Sequence, residues 1–480
     1  MHKTRFLAEG FSQKMAPKFG TSGLRGLVVD LTADLVSDYT NAFLAACPTG
    51  GMVRVGWDLR PSSPDIAMAV IRAITATGQT AVVDGPLPTP ALALASLRAH
   101  QSAIMITGSH IPADRNGLKF YTPHGEISKD DEAAILAQLS MSDGARIPGA
   151  GAHKEDWYGA TGAYVARYVD GFGATALNGL RIGVYQHSSV ARDIMVEVVT
   201  ALGATTIAIA RSDVFVPVDT EAVDPDTRDL FADWCREHRL DALISTDGDA
   251  DRPMVVDKAG HIVPGDVLGA ITARMLGADI ICTPVSSNTM IEQMADFTML
   301  HHTCIGSPFV IAAMEQVLID DAGARVVGYE ANGGFLLGFE ADGPAGPLAP
   351  LMTRDCLLPI LAPLYLAQKS KHTLAELVAT LPPRFTAADR LVGIAPEASG
   401  PFLESLRQDA DARDDFFVDT GTETAVDLTD GLRVTFQGGD VVHLRPSGNA
   451  PEFRCYTEAD SDARAQDLLA RHLKQLRATF

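Results

Sequence analysis

Three segments of the chain repeat one alternation of apolar and polar positions. Each begins with a short apolar run, passes through a loop holding a Ser-Ser pair, and enters a stretch with apolar residues at helical spacing. VRVGWDLRPSS precedes PDIAMAVIRAITATG, LRIGVYQHSS precedes VARDIMVEVVTALG, and DIICTPVSS precedes NTMIEQMADF. A short apolar run followed by 3.6-residue periodicity predicts strand, loop and amphipathic helix. Ser63 and Pro64 suit an N-cap and a first helical position, and Gly78 and Gly203 suit left-handed C-terminal caps. β-rich stretches follow: TAVVDG, TTIAIA and FTMLHHT. Later in each copy an apolar strand runs into a polar loop, as SAIMITGSH, DALISTDGD and RVVGYEANGG. Strand–helix alternation is common in α/β proteins, yet three copies in one order favour a true repeat. Ligands bind at strand ends in open α/β sheets, so three such loops are placed to line one cleft.

The C-terminal pattern differs. GLRVTFQGGDVVHLRPSGNAPEFRCYTEA reads as a hairpin turning at Gly438-Gly439-Asp440, a loop and another strand, followed by the helix DARAQDLLARHLKQL. The LPPRF stretch marks the entry to this α+β part. The expected division is 1–155, 156–260 and 261–374 for three α/β domains and 375–480 for the fourth.

Composition narrows the class. The chain has 480 residues, 46% hydrophobic, with a formal net charge of −21, which argues against a nucleic-acid partner. No apolar run approaches the ~18 residues of a membrane span, and MHKTRFLAEGFSQKM lacks an apolar secretory core. A cytoplasmic location is therefore expected. Six cysteines without a CxxC pair suggest neither a disulfide framework nor a structural zinc. An anionic small molecule stays compatible, because fields from surface charge are screened within about 8 Å at physiological salt.

The polar loops carry the chemistry. In STDGDADRP, Asp247, Asp249 and Asp251 alternate directly after an apolar strand. Carboxylates that close repel one another unless a cation holds them, and oxygen-only ligands point to Mg²⁺ or Ca²⁺. An EF-hand is excluded by Arg252 and Lys258 at its sixth and twelfth positions. A phosphatase of haloacid-dehalogenase type, with Asp247 as nucleophile, stays open. In MITGSHIPADRNGLKFY, Ser109 follows a strand without a G-x-S-x-G elbow. Alone it reads as a turn serine. Beside a metal loop it reads as a carrier of a phosphoryl group, which would supply the cation with an oxygen ligand. Arg445, Ser447, Gly448 and Asn449 in HLRPSGNAPEFR form a candidate phosphate cradle. Thr21, Ser22 and Arg25 in KFGTSGLRG, and Glu330 and Asn332 in GYEANGG, sit among glycines that permit close approach to a ligand. His301 and His302 have no partner at ligand spacing.

The order GTSGLRG, TGSHIPADRNGLK, DGDADR, YEANGG, RPSGNAPEFR, spread over residues 20–454, resembles the α-D-phosphohexomutase family. The resemblance implies four domains around a central active-site cleft, three of them related α/β units with mixed sheets. It implies reversible movement of phosphate between C1 and C6 of a hexose phosphate, with Mg²⁺ and a hexose 1,6-bisphosphate activator, in a monomer or homodimer. Ser109 matches the phosphorylated serine and a metal ligand, and Asp247, Asp249 and Asp251 match the other Mg²⁺ ligands. Lys119 matches a lysine of proton transfer. His110, Arg25 and Arg252 adjoin the chemistry. Arg445, Ser447, Gly448, Asn449 and Arg454 match the loop that holds the non-reacting phosphate, Glu330 and Asn332 the sugar loop, and Thr21 and Ser22 the N-terminal loop.

Four stretches depart from the family pattern. Ile111 stands where SHNP has asparagine, Asn332 replaces a serine, SGNAP replaces SGTEP, and Ser307 stands where some members carry histidine. These touch specificity rather than chemistry. EANGG with RPSGNAPE resembles bacterial phosphomannomutase-type members, so mannose phosphates are the expected substrates, with glucose phosphates second. A Mg²⁺-dependent phosphatase and a non-catalytic sugar-phosphate sensor are the competing classes.

Overall fold

The first apolar run of each repeat becomes the strand at the middle of a mixed sheet. In the computed structural model, which describes residues 17–141, 151–447 and 451–480, strand Met52–Trp57 lies between Thr80–Pro86 and Ser102–Ile106, parallel to both. Arg115–Thr122 then pairs antiparallel with Ser102–Ile106. The second unit repeats the order with Thr205–Arg211, Arg181–His187, Ala242–Thr246 and Pro253–Asp257. The third repeats it with Met299–Thr303, Ile280–Pro284, Val326–Tyr329 and Phe335–Leu337. Common strand order and direction are what copies of one unit require. In all three, the turn leading into the antiparallel strand holds a candidate loop: Ser109, Asp247 to Arg252, and Glu330 to Gly334.

Two local expectations differ from the structure. Ser62, not Ser63, is the N-cap of helix Ser63–Ala76, so Pro64 is its second residue. The Ser63 hydroxyl turns inward and donates to Asp58 Oδ1 at 2.6 Å. The third repeat has only the 3₁₀ turn Thr289–Gln293 where an amphipathic helix was expected. The interval between Asn288 and strand Met299–Thr303 is too short for several helical turns plus a connection.

One continuous apolar cluster runs through the three α/β units. Helices Thr89–Ala99, Gly159–Phe172, Arg192–Ala201, Gly265–Leu276 and Leu357–Ser370 all contribute to it. The C-terminal unit is separate in kind. Its antiparallel sheet runs in the order Phe385–Val392, Glu452–Ala459, Val441–Pro446, Leu432–Phe436, Glu423–Asp427. Helix Asp462–Thr479 buries Leu468, Leu473 and Leu476 in a core of its own. The expected hairpin turn uses Gly438 and Gly439, both at positive φ (100° and 89°). Polar links join this unit to the third: the Ile305 N–H donates to Asp430 Oδ2 (2.9 Å), the Thr289 N–H to Glu458 Oε2 (3.1 Å), and Asn288 Nδ2 to the Arg384 carbonyl (3.0 Å). No helix among the described residues is long and apolar enough to cross a membrane.

The C-terminal unit also holds two buried imidazoles, His443 and His472, which burial pushes down to about 4. Folding keeps them neutral, whereas in the unfolded chain they protonate near 6.5. Their folded values lie below the unfolded one, so the stability they permit is lost as pH falls from about 6.5 through about 4. Thermal unfolding followed across that window is expected to show the midpoint falling, and His472→Gln is expected to flatten the fall.

Candidate active site

Ser109 is held at the end of strand Ser102–Ile106 in an unusual backbone state, with φ +53°. Its N–H donates to Thr107 Oγ1 (2.7 Å). Beneath the loop, Asp58 Oδ2 accepts from Thr107 Oγ1 (2.8 Å) and from the Gly108 N–H (3.3 Å). Arg60, with 1% of its surface exposed, pairs with Asp58 and donates to the carbonyls of Ser109 (2.8 Å), Ile111, Pro112 (2.6 Å) and Arg115 (3.0 Å). The WDLRPSS segment is thus a clamp on the serine loop as well as the start of the repeat. Neither Asp58 nor Arg60 stood out in the sequence. A charged D-x-R directly after a buried strand was the signal available.

Gly108 is where this clamp leaves least room, because an added Cβ would lie 2.6 Å from the Arg60 guanidinium carbon. Arg60 is fixed by its acceptors and has nowhere to move. Gly108→Ala is therefore expected to cost about 2 kcal/mol in urea unfolding, as overpacking does. Turnover is expected to fall with it, since the displaced group carries Ser109.

Across the cleft, strand Ala242–Thr246 delivers three buried carboxylates whose oxygens lie within 4.8 Å of one another. Ser109 Oγ donates to Asp247 Oδ2 at 2.6 Å, joining the first and second units. Lys119, also buried, donates to Asp249 Oδ2 (2.6 Å) and Asp251 Oδ2 (2.5 Å) from strand Arg115–Thr122. Thr89 Oγ1 adds a bond to Asp249 Oδ2 (2.7 Å). Asp249 Oδ1 and Asp251 Oδ1 are buried without a hydrogen-bond partner. Bare carboxylate oxygens in a dry site are costly unless a ligand completes them, and an all-oxygen set suits a hard divalent cation. The residues fit such an ion.

The charges here perturb one another. Burial, then Asp249 and Asp251, push the Asp247 carboxyl well above the usual carboxylate range. Burial opposes ionisation of Asp249 as well, but Lys119, Thr89 and Arg354 outweigh it and hold that group low. Burial and the nearby Arg252 keep His110 neutral, with its Nδ1 3.4 Å from Ser109 Oγ. Burial brings Arg25 down to about 10.

Above the triad opens a cavity of about 590 Å³ whose walls come from all four units. Thr21, Ser22, Arg25, Ser109 and His110 line it from the first unit and Arg252 from the second. Glu330 and Asn332 line it from the third, and Arg445, Ser447 and Arg454 from the C-terminal unit. Lys119 and the three aspartates are packed beneath. Gly448 and Asn449 lie outside the described residues. Arg252 Nε and Nη1 and Arg454 Nε are buried without hydrogen-bond partners, so donors are held ready for an anion. Arg445 Nε donates to Asp430 Oδ1 (3.1 Å), the carboxylate that also reaches Ile305. Ser307 Oγ donates to Glu126 Oε1 (3.2 Å), which also accepts from Ser22 Oγ (2.5 Å). The position of the family histidine is therefore occupied by a wall contact. His301 and His302 lie on strand Met299–Thr303 outside the cavity lining.

Comparison with known proteins gives one consistent result. Models of the phosphoglucomutase/phosphomannomutase α/β/α domains I, II and III match residues 16–145, 163–260 and 264–385, and the model of the C-terminal domain matches 403–475. A phosphomannomutase of Sinorhizobium fredii is 43% identical over 97% of this chain and 100% of its own length. One of Salmonella muenchen is 40% identical over 97% and 96%. Among solved structures, a phosphoglucomutase/phosphomannomutase family protein of Burkholderia thailandensis superposes with a TM-score of 0.74 at 21% identity, covering 96% of each chain. The open form of the Paramecium phosphoglucomutase parafusin gives 0.67 at 16% identity, covering 96% and 95%. At those identities the two structures speak for the fold alone.

Proposed function

The chain belongs to the phosphoglucomutase/phosphomannomutase family, and on that footing we propose that it interconverts mannose 1-phosphate and mannose 6-phosphate, with glucose phosphates as weaker substrates. The observation that carries this is the 2.6 Å contact of Ser109 Oγ with Asp247 at the floor of a cleft lined by four units. A phosphatase built on Asp247 needs no phosphorylatable serine beside its nucleophile. A sensor would have no use for one.

In this reading Ser109 carries a phosphoryl group, charged at the outset by a hexose 1,6-bisphosphate. A free hydroxyl of the bound hexose phosphate attacks it. The new P–O bond forms to the sugar as the bond to Ser109 Oγ breaks, and we assign the hydroxyl's proton to His110, whose Nδ1 is 3.4 Å from Ser109 Oγ, and to Lys119. The resulting bisphosphate turns end for end, and its other phosphate returns to Ser109. Asp247, Asp249 and Asp251 would hold Mg²⁺, which supplies charge neutralisation on the transferring group. Arg25 and Arg252 face the same charge from the protein side. Arg445, Ser447 and Arg454 bind the phosphate that does not react, which sets the distance to the reacting end, while Glu330 and Asn332 meet the sugar hydroxyls. Water must be kept out or the phosphoserine hydrolyses. A cytoplasmic monomer or homodimer completes the reading.

The test is ³¹P NMR of the protein with Mg²⁺, a trace of glucose 1,6-bisphosphate, and equal mannose 1-phosphate and glucose 1-phosphate. Mannose 6-phosphate appearing first is the expected result. Inorganic phosphate alone would favour the phosphatase, and no change at all the sensor.

A further inference from the structure

One arginine outside the family motifs touches the loops of three units at once. Arg354 lies near the end of strand Leu351–Asp355 and is 6% exposed. Its Nη2 is 2.8 Å from Asp251 Oδ2 and 3.4 Å from Ser22 Oγ, and its Nη1 is 3.4 Å from Glu330 Oε2. Its Nε is buried with no hydrogen-bond partner, and the side chain lines the cleft.

The surroundings fix this side chain in place. An added Cβ at Gly334 would lie 2.7 Å from Arg354 Cγ, so the second glycine of EANGG is what lets the sugar loop lie on the arginine stem. The next residue, Asp355, is buried and accepts hydrogen bonds from Tyr164 (2.5 Å) and Tyr168. Both tyrosines come from helix Gly159–Phe172, which anchors the strand end from the second unit.

We propose that Arg354 is a positioning residue that couples the sugar-recognition loop to the carboxylate triad. The inference rests on the mutase reading given above. Its guanidinium fork does two things that a single point charge does not do together. One arm fixes Glu330 for the sugar. The other places positive charge on Asp251, whose Oδ2 already carries Lys119, and so competes with a bound cation for that carboxylate. The two effects have opposite signs. Removing the fork frees charge for the metal while loosening the sugar loop.

That opposition is the test, run on Arg354→Gln and Arg354→Lys in the full-length protein. Mn²⁺ binding without sugar is read by EPR, mannose 1-phosphate binding by calorimetry, and turnover on mannose and glucose 1-phosphates by steady-state kinetics. Arg354→Gln is expected to bind Mn²⁺ about tenfold more tightly while kcat/KM for mannose 1-phosphate falls about tenfold or more. The mannose-to-glucose ratio is expected to shift with it. Arg354→Lys keeps the charge and loses the fork, so Mn²⁺ affinity is expected to stay within about twofold while the loss on the sugar persists. Weaker Mn²⁺ binding in Arg354→Gln, or wild-type sugar kinetics in Arg354→Lys, overturns the proposal. Should the wild type show no mutase turnover, the Mn²⁺ and mannose 1-phosphate binding arms still read the coupling by themselves.

Discussion

Ser109→Ala is expected to abolish mutase turnover, by on the order of 10⁴-fold or more, as loss of a nucleophile does elsewhere. No neighbour is able to substitute. Thr107 Oγ1 is engaged with Asp58 and with the Ser109 N–H, so the one other hydroxyl of the TGS turn is committed to holding the loop. The alanine variant also has to keep φ near +53°, which costs about 1 kcal/mol without a side-chain oxygen to offset it. Binding of a divalent cation is expected to persist, because Asp249 Oδ1 and Asp251 Oδ1 are unaffected. The check pairs turnover with ³¹P detection of the phosphoprotein. Retained turnover without a protein-bound phosphate would mean that Ser109 is only a turn residue.

The second large effect falls on the triad. Asp249→Asn is expected to lower turnover on the order of 10³-fold, the scale on which removal of a preorganised charge at the reacting group acts. The aspartate serves two partners: Oδ2 takes Lys119 and Thr89, and Oδ1 is the bare oxygen offered to a cation. An amide cannot do both. Lys119 would keep Asp251 alone, so a stability loss of about 2 kcal/mol is expected, below the 3–5 kcal/mol of a buried charge left with no partner. The repulsion acting on Asp247 would also drop, bringing its carboxyl back toward the usual range. Titrating Mg²⁺ against turnover and unfolding separates these terms. A variant with wild-type Mg²⁺ dependence would remove the metal role from this loop.

What the sequence disclosed about this site depended on whether the chemistry was local. DGDADR is legible because three carboxylates crowd a few positions, and repulsion makes such crowding meaningful wherever it occurs. The repeat was legible for a similar reason, since strand, serine loop and helix follow one another in the chain, and the three sheets do share one strand order. The failure at Thr289–Gln293 came from spacing, which the apolar pattern alone did not weigh. Asp58 and Arg60 pair locally, but the loop they clamp lies about fifty residues further on, and Glu126 and Arg354 stayed hidden because their partners are remote in sequence. Arg354 meets Ser22, Asp251 and Glu330 only after three units have packed together. No local pattern announces such a residue.

The separate core of the C-terminal unit has a consequence for how the cleft opens. The three α/β units share buried apolar surface, and parting them would expose it to water at a steep free-energy cost. The links found at Asp430, Glu458 and Arg384 are hydrogen bonds, which water replaces almost one for one when the surfaces separate. One wall of the reaction chamber is therefore hung on exchangeable contacts and the other three are welded. A ligand too large to turn within the cleft would need to displace only that one wall, while Ser109 and the three carboxylates stay in register.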